Sequence, residues 1–88
     1  MQSHLVLLGR LSANEKLASF LSDLLEREDD GSTIHLPMQR SDVADYLGIT
    51  FETVSRVLRV LKDRGIIRIT AVDRIEIVDP DALRTLSD

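Results

Sequence analysis

Residues 42–65, Asp42-Val-Ala-Asp-Tyr-Leu-Gly-Ile-Thr-Phe-Glu-Thr-Val-Ser-Arg-Val-Leu-Arg-Val-Leu-Lys-Asp-Arg-Gly65, decide the fold. At about 100° per residue, Glu52, Ser55, Arg56 and Arg59 fall at i, i+3, i+4 and i+7 on one face of a helix. Val54, Val57, Leu58 and Leu61 take the other. One face packs, and the other offers side chains able to touch base edges. Thr50 is a natural N-cap for this helix, expected over about 51–64, and Gly65 closes it. A shorter helix over about 40–47 precedes it, with Val43, Ala44, Tyr46 and Leu47 mostly inward and Gly48 able to take a positive φ at its end. Two short helices joined by Gly48-Ile49-Thr50 form a helix-turn-helix. Counted from Arg40, the apolar positions Val43, Leu47, Ile49, Val54 and Val57 match its packing register. Small Ala44 lets the two helices cross closely, and Gly48 stands where a Cβ would strain the reversal.

Outward from this pair, Ser12-Ala-Asn-Glu15 is a capping-box pattern and predicts a helix over about 13–28. Leu17, Phe20, Leu21, Leu24 and Leu25 give it a broad apolar stripe. Asp30-Gly31 is a strong turn dipeptide. Thr33-Ile-His-Leu36 is a short β-like segment ahead of Pro37. Ile66–Ile69 and Ile75–Val78 are β-branched runs around Thr70–Arg74, which predicts a hairpin, or wing, beside the second helix of the pair. Asp79-Pro80 supplies an N-cap and a proline at the first helical position of a last helix, about 80–86. The expected fold is mainly α with a small β-sheet, a winged helix-turn-helix over 12–88. Residues 1–11 read as the remnant of a preceding helix or a linker.

Eighty-eight residues make one small domain with a single core. No apolar run reaches the roughly 18 residues of a membrane span, and no secretory signal is evident. With no cysteine, disulfides and thiolate ligands are excluded. A cytoplasmic location is expected, although absent cysteine is compatible with any compartment. The net charge of −4 looks wrong for a nucleic-acid binder. Its distribution answers the objection: residues 1–39 sum to −3, 40–74 to +2 and 75–88 to −3. Arg56, Arg59, Lys62, Arg64 and Arg68 stand against Asp63 alone within 55–68, and a local basic field is what phosphate contact needs. His4 and His35 have no neighbours at ligand spacing, so no metal site and no cofactor are expected. No nucleophile with a base and no glycine-rich phosphate loop appears, so no catalytic residues are assigned.

The stretch from Asp42 to Arg56, with the following Leu-Lys-Asp-Arg-Gly-Ile-Ile at 61–67, resembles the Crp/Fnr superfamily of bacterial transcription regulators. Glu52, Ser55 and Arg56 in the pattern Glu-x-x-Ser-Arg resemble its Fnr/FixK branch. The Crp branch favours Arg-Glu-x-x-Gly-Arg, and Phe51 stands where that first Arg would be. The resemblance covers about residues 10–86. It implies a winged helix whose partner is double-stranded DNA, with a half-site resembling TTGAT in an inverted-repeat operator. The implied base readers are Glu52, Ser55 and Arg56. Arg56 can bond guanine O6 and N7 in a fork, and Glu52 suits the amino group of cytosine or adenine. Arg40, Ser41, Thr50, Thr53 and Arg59 flank the stripe and are the candidate phosphate contacts, with Arg68 a surface charge at its margin. Phe51 is expected to pack on the turn, with contact to a thymine methyl as the alternative.

The family places a sensor and a long dimerisation helix before this domain, so the chain reads as the fragment of a homodimeric regulator. Two half-sites roughly 34 Å apart need two coupled recognition helices. The chain alone is therefore expected to be monomeric or weakly self-associating through Leu5, Leu7, Leu8 and Leu11, and to bind DNA weakly. The resemblance also implies an RNA polymerase contact through the loop at about 27–35. Two bland alternatives stay open. Glu52, Arg56 and Arg59 can form a solvated ion-pair face, and winged helices also serve as protein-interaction modules without nucleic acid, a reading that the net charge favours.

Overall fold

The computed structural model describes residues 12–28 and 32–87. The expected remnant at 1–11 and the Asp30-Gly31 turn lie outside them, as does part of the 27–35 loop. Among the described residues are helices α1 (Ala13–Glu26), α2 (Arg40–Leu47), α3 (Phe51–Asp63) and α4 (Pro80–Ser87), with strands β1 (Thr33–His35), β2 (Ile67–Ala71) and β3 (Arg74–Ile77). The fold is a winged helix-turn-helix, mainly α with a small antiparallel sheet.

The capping box forms as its sequence requires: Glu15 N–H donates to Ser12 Oγ at 3.2 Å, and Ser12 N–H donates to Glu15 Oε1 at 3.0 Å. That reciprocal pair holds the Glu15 carboxyl below its ordinary range, chiefly through the Ser12 backbone N–H and then its hydroxyl. At the other end Arg27 and Glu28 N–H groups donate to Leu24 and Leu25 carbonyls, tightened bonds that end α1 two residues early.

Strand order is β1-β3-β2. The sequence marks β1 only as a β-like segment; the structure makes it an edge strand, pairing Ile34 with Ile75 and Thr33 with Glu76. The wing is tighter than the sequence suggests, because Val72 and Asp73 alone separate its strands. Among the described residues no non-glycine has a positive φ, so the primed turns that usually join such hairpins are not used at Val72-Asp73. An irregularity between Ile69 and Ala71 leaves Thr70 as the extra residue on β2 and supplies the added twist.

One core joins the layers. Leu17, Leu21, Val43, Ala44, Val54, Val57, Leu58, Leu61 and Leu83 meet Ile34, Ile67, Ile75 and Ile77 from the inner face of the sheet, and no buried polar residue is among them. The arc of α2 that faces this core is Val43, Ala44 and Leu47. Tyr46, expected inward, lies about 100° round the helix from Leu47 and is 71% exposed. Both α2 and α3 end on a glycine with positive φ, Gly48 at 72° and Gly65 at 74°. Ile49 N–H reaches Ala44 O, and Ile66 N–H reaches Leu61 O, each at 3.0 Å. Open space surrounds both glycines, so the backbone conformation and not crowding calls for them.

Candidate nucleic-acid interface

The start of α3 is finished internally. Thr50 is its N-cap, accepting from Thr53 N–H at 3.1 Å, and the two hydroxyls lie 2.8 Å apart. One hydroxyl proton of the pair is used between them, which leaves one to donate outward. Glu52 in the first turn and Lys62 in the last complement the helix dipole, so both also have a structural role.

From this anchored start the predicted stripe assembles. Phe51, Glu52, Ser55, Arg56 and Arg59 line one shallow groove on the outer face of α3. Ser55 is half-buried and short, so the backbone beside it can approach a ligand closely. Glu52, Arg56 and Arg59 are exposed, and among the described residues none of them forms an ion pair. The ion-pair alternative therefore has no counterpart in the geometry.

Arg40 and Ser41 sit at the start of α2 and line a neighbouring groove with Leu36, Met38, Phe51, Val72 and Asp73. The Gln39 side chain makes no capping bond, so first-turn amides of α2 lack a side-chain acceptor there. Arg40 Nε is shielded from solvent without a hydrogen-bond partner. First-turn amides, a serine and an arginine thus occupy one helix start, residue types suited to an anion. Arg68 stands apart, its Nη1 3.5 Å from Glu76 Oε1 on the outer face of the sheet. His35 is likewise engaged, its Nδ1 3.9 Å from Glu28 Oε1.

Phe51 departs from its expected packing. The residue is 49% exposed and lies where the two grooves meet. Val72 at the wing tip, 83% exposed, borders the same region and was not among the sequence candidates. The signal was a β-branched residue in a turn, where small polar residues are usual.

Residues 15–86 match the model of the Crp-like helix-turn-helix domain. The chain belongs to that family. It is similar to the nitrogen fixation regulation protein FixK of Rhizobium meliloti, with 51% identity over 85 residues, 97% of this chain and 40% of that protein. It is also similar to the transcriptional activator protein FnrL of Cereibacter sphaeroides, 40% identical over 83 residues, 85% of this chain and 34% of that one. Among solved structures, FixK2 from Bradyrhizobium japonicum superposes with a TM-score of 0.88 at 39% identity, covering 97% of this chain and 43% of its own. This member of the Crp-like family thus spans well under half the length of these relatives.

Proposed function

We propose that this Crp-like domain is the sequence-reading part of a bacterial transcription regulator and lays α3 in the major groove of double-stranded DNA. The observation that carries the reading is the α3 groove, whose polar side chains are presented outward without ion-pair partners beside an uncapped α2 start. Arg56 reads a guanine through its fork, Glu52 accepts from the amino group of cytosine or adenine, and Ser55 allows close approach to a thymine methyl. An acid beside phosphates is unfavourable, which favours base contact for Glu52. Exposure of Phe51 now favours the thymine methyl over packing on the turn. Arg40 and Ser41 at α2, the Thr50–Thr53 pair and Arg59 hold phosphates and set the register.

The half-site is TTGAT-like, and the operator is an inverted repeat read by a homodimer of the longer regulator, working in the cytoplasm. Contact with RNA polymerase through 27–35 belongs to the same proposal. Titrating the chain with a duplex carrying a TTGAT-type inverted repeat and with a scrambled duplex, at two salt concentrations, tests it. A preference for the repeat, with affinity falling as salt rises, is the expected result. Equal binding to both duplexes at low salt would transfer the weight to a protein-interaction module, the reading that the net charge of −4 favours.

A further inference from the structure

A third groove, of about 510 Å³, lies between α1 and α2 and shares no residue with the α3 groove. Lys16, Ser19, Phe20 and Asp23 line it from α1, and Asp45, Tyr46, Leu47 and Gly48 from the end of α2. Its wall is aromatic: the Phe20 and Tyr46 rings stand 5.7 Å apart at 53°, a tilted pair that holds Tyr46 in place while leaving it 71% exposed.

The charge around that wall selects a guest. Asp23 and Asp45 are exposed and form no ion pair among the described residues. Gly48 marks the C-terminus of α2, where the peptide dipoles leave partial negative charge. No basic residue stands in the last turn of α2 to offset it. Among the described residues, Lys16 is the one cation lining the groove. An aromatic face beside two carboxylates and a helix C-terminus matches a guanidinium, which stacks on rings and donates to carboxylates in a fixed fork.

We infer that the α1–α2 groove is a docking site for a partner polypeptide that presents an arginine, stacked on Tyr46 and paired with Asp45, beside an aliphatic side chain against Phe20 and Leu47. The site is independent of the α3 groove and is tested without DNA. The probe is the peptide acetyl-Ala-Leu-Arg-Leu-Ala-amide, titrated into the isotope-labelled chain, with lysine and glutamine versions as controls. Saturable NMR shifts at Phe20, Asp45, Tyr46 and Gly48, strongest for arginine, are expected. Tyr46→Ala and Asp45→Asn should each weaken the arginine peptide about two- to fivefold, the range of an exposed cation–π contact or ion pair. Both side chains are exposed, and unchanged melting of the variants verifies that they fold. Equal shifts with all three peptides, or shifts confined to α3, would overturn the inference. Concentration-dependent shifts at the groove without peptide would overturn it too, by making a second copy of the chain the occupant.

Discussion

Helices α2 and α3 end alike and begin differently. Each closes on a glycine of positive φ with the same pair of reversed backbone bonds, so the sequence treats their C-termini as one problem. Their N-termini are two. At α3 the Thr50 hydroxyl meets a first-turn amide, while at α2 the Gln39 side chain makes no capping bond. A helix end that is satisfied internally can serve as a rigid platform for side chains. One left incomplete gains stability when an anion arrives. Under the proposed function, that difference suits α3 to base edges and α2 to the backbone of the same duplex.

The largest test removes the platform on which the comparison rests. Ala44, buried where α2 meets α3, should tolerate no bulk. Ala44→Leu is expected to destabilise the chain by about 1–3 kcal/mol in urea unfolding and to weaken DNA binding in parallel. Next, Arg56→Ala should leave stability unchanged and cost about 1–3 kcal/mol of cognate binding, relaxing preference at one G·C pair. An unchanged cognate-to-random ratio would remove Arg56 from base reading. Arg59→Ala should instead weaken all sequences alike and lower the salt slope by about one unit.

Two cap variants address the contrast itself. Thr50→Ala should cost about 1 kcal/mol of stability, since it leaves the Thr53 amide without its acceptor. Gln39→Asp should act the opposite way, adding up to about 1 kcal/mol of stability while weakening DNA binding, because a carboxylate then takes the place of the phosphate. Equal or tighter DNA binding by Gln39→Asp would show that the α2 start is not a phosphate site.

The smallest effect concerns a third helix start. The Glu15 carboxyl is held below its ordinary range by Ser12, so its contribution is present above the unfolded-state value and is lost as pH falls through the lower folded value. Glu15→Ala should remove that part of the acid dependence. Comparing urea unfolding of the two proteins from neutral pH down through the carboxylate range measures it.

Much of this was legible because the deciding signals are local. The α3 stripe follows from the helical period, and Thr50, Gly48 and Gly65 mark ends through chemistry confined to one turn. Where reading stopped short or went astray, the answer lay in distant partners. Three residues at 33–35 cannot name β3 as their neighbour, since strand pairing joins segments far apart in the chain. Tyr46 is apolar enough to be called inward, yet the core arc of α2 was already filled by Val43, Ala44 and Leu47. Phe51 looked like packing for the same reason, yet the fold leaves about half of it open.

By itself the sequence determined the family, the helix-turn-helix and the residues offered on α3, because periodicity and caps act over a few residues. Only the tertiary structure decided which surfaces remain open: the three-stranded sheet, the wing tip at Val72, the exposed Phe51 and the groove walled by Phe20 and Tyr46. Exposure is what packing leaves over, and packing is a property of the whole fold.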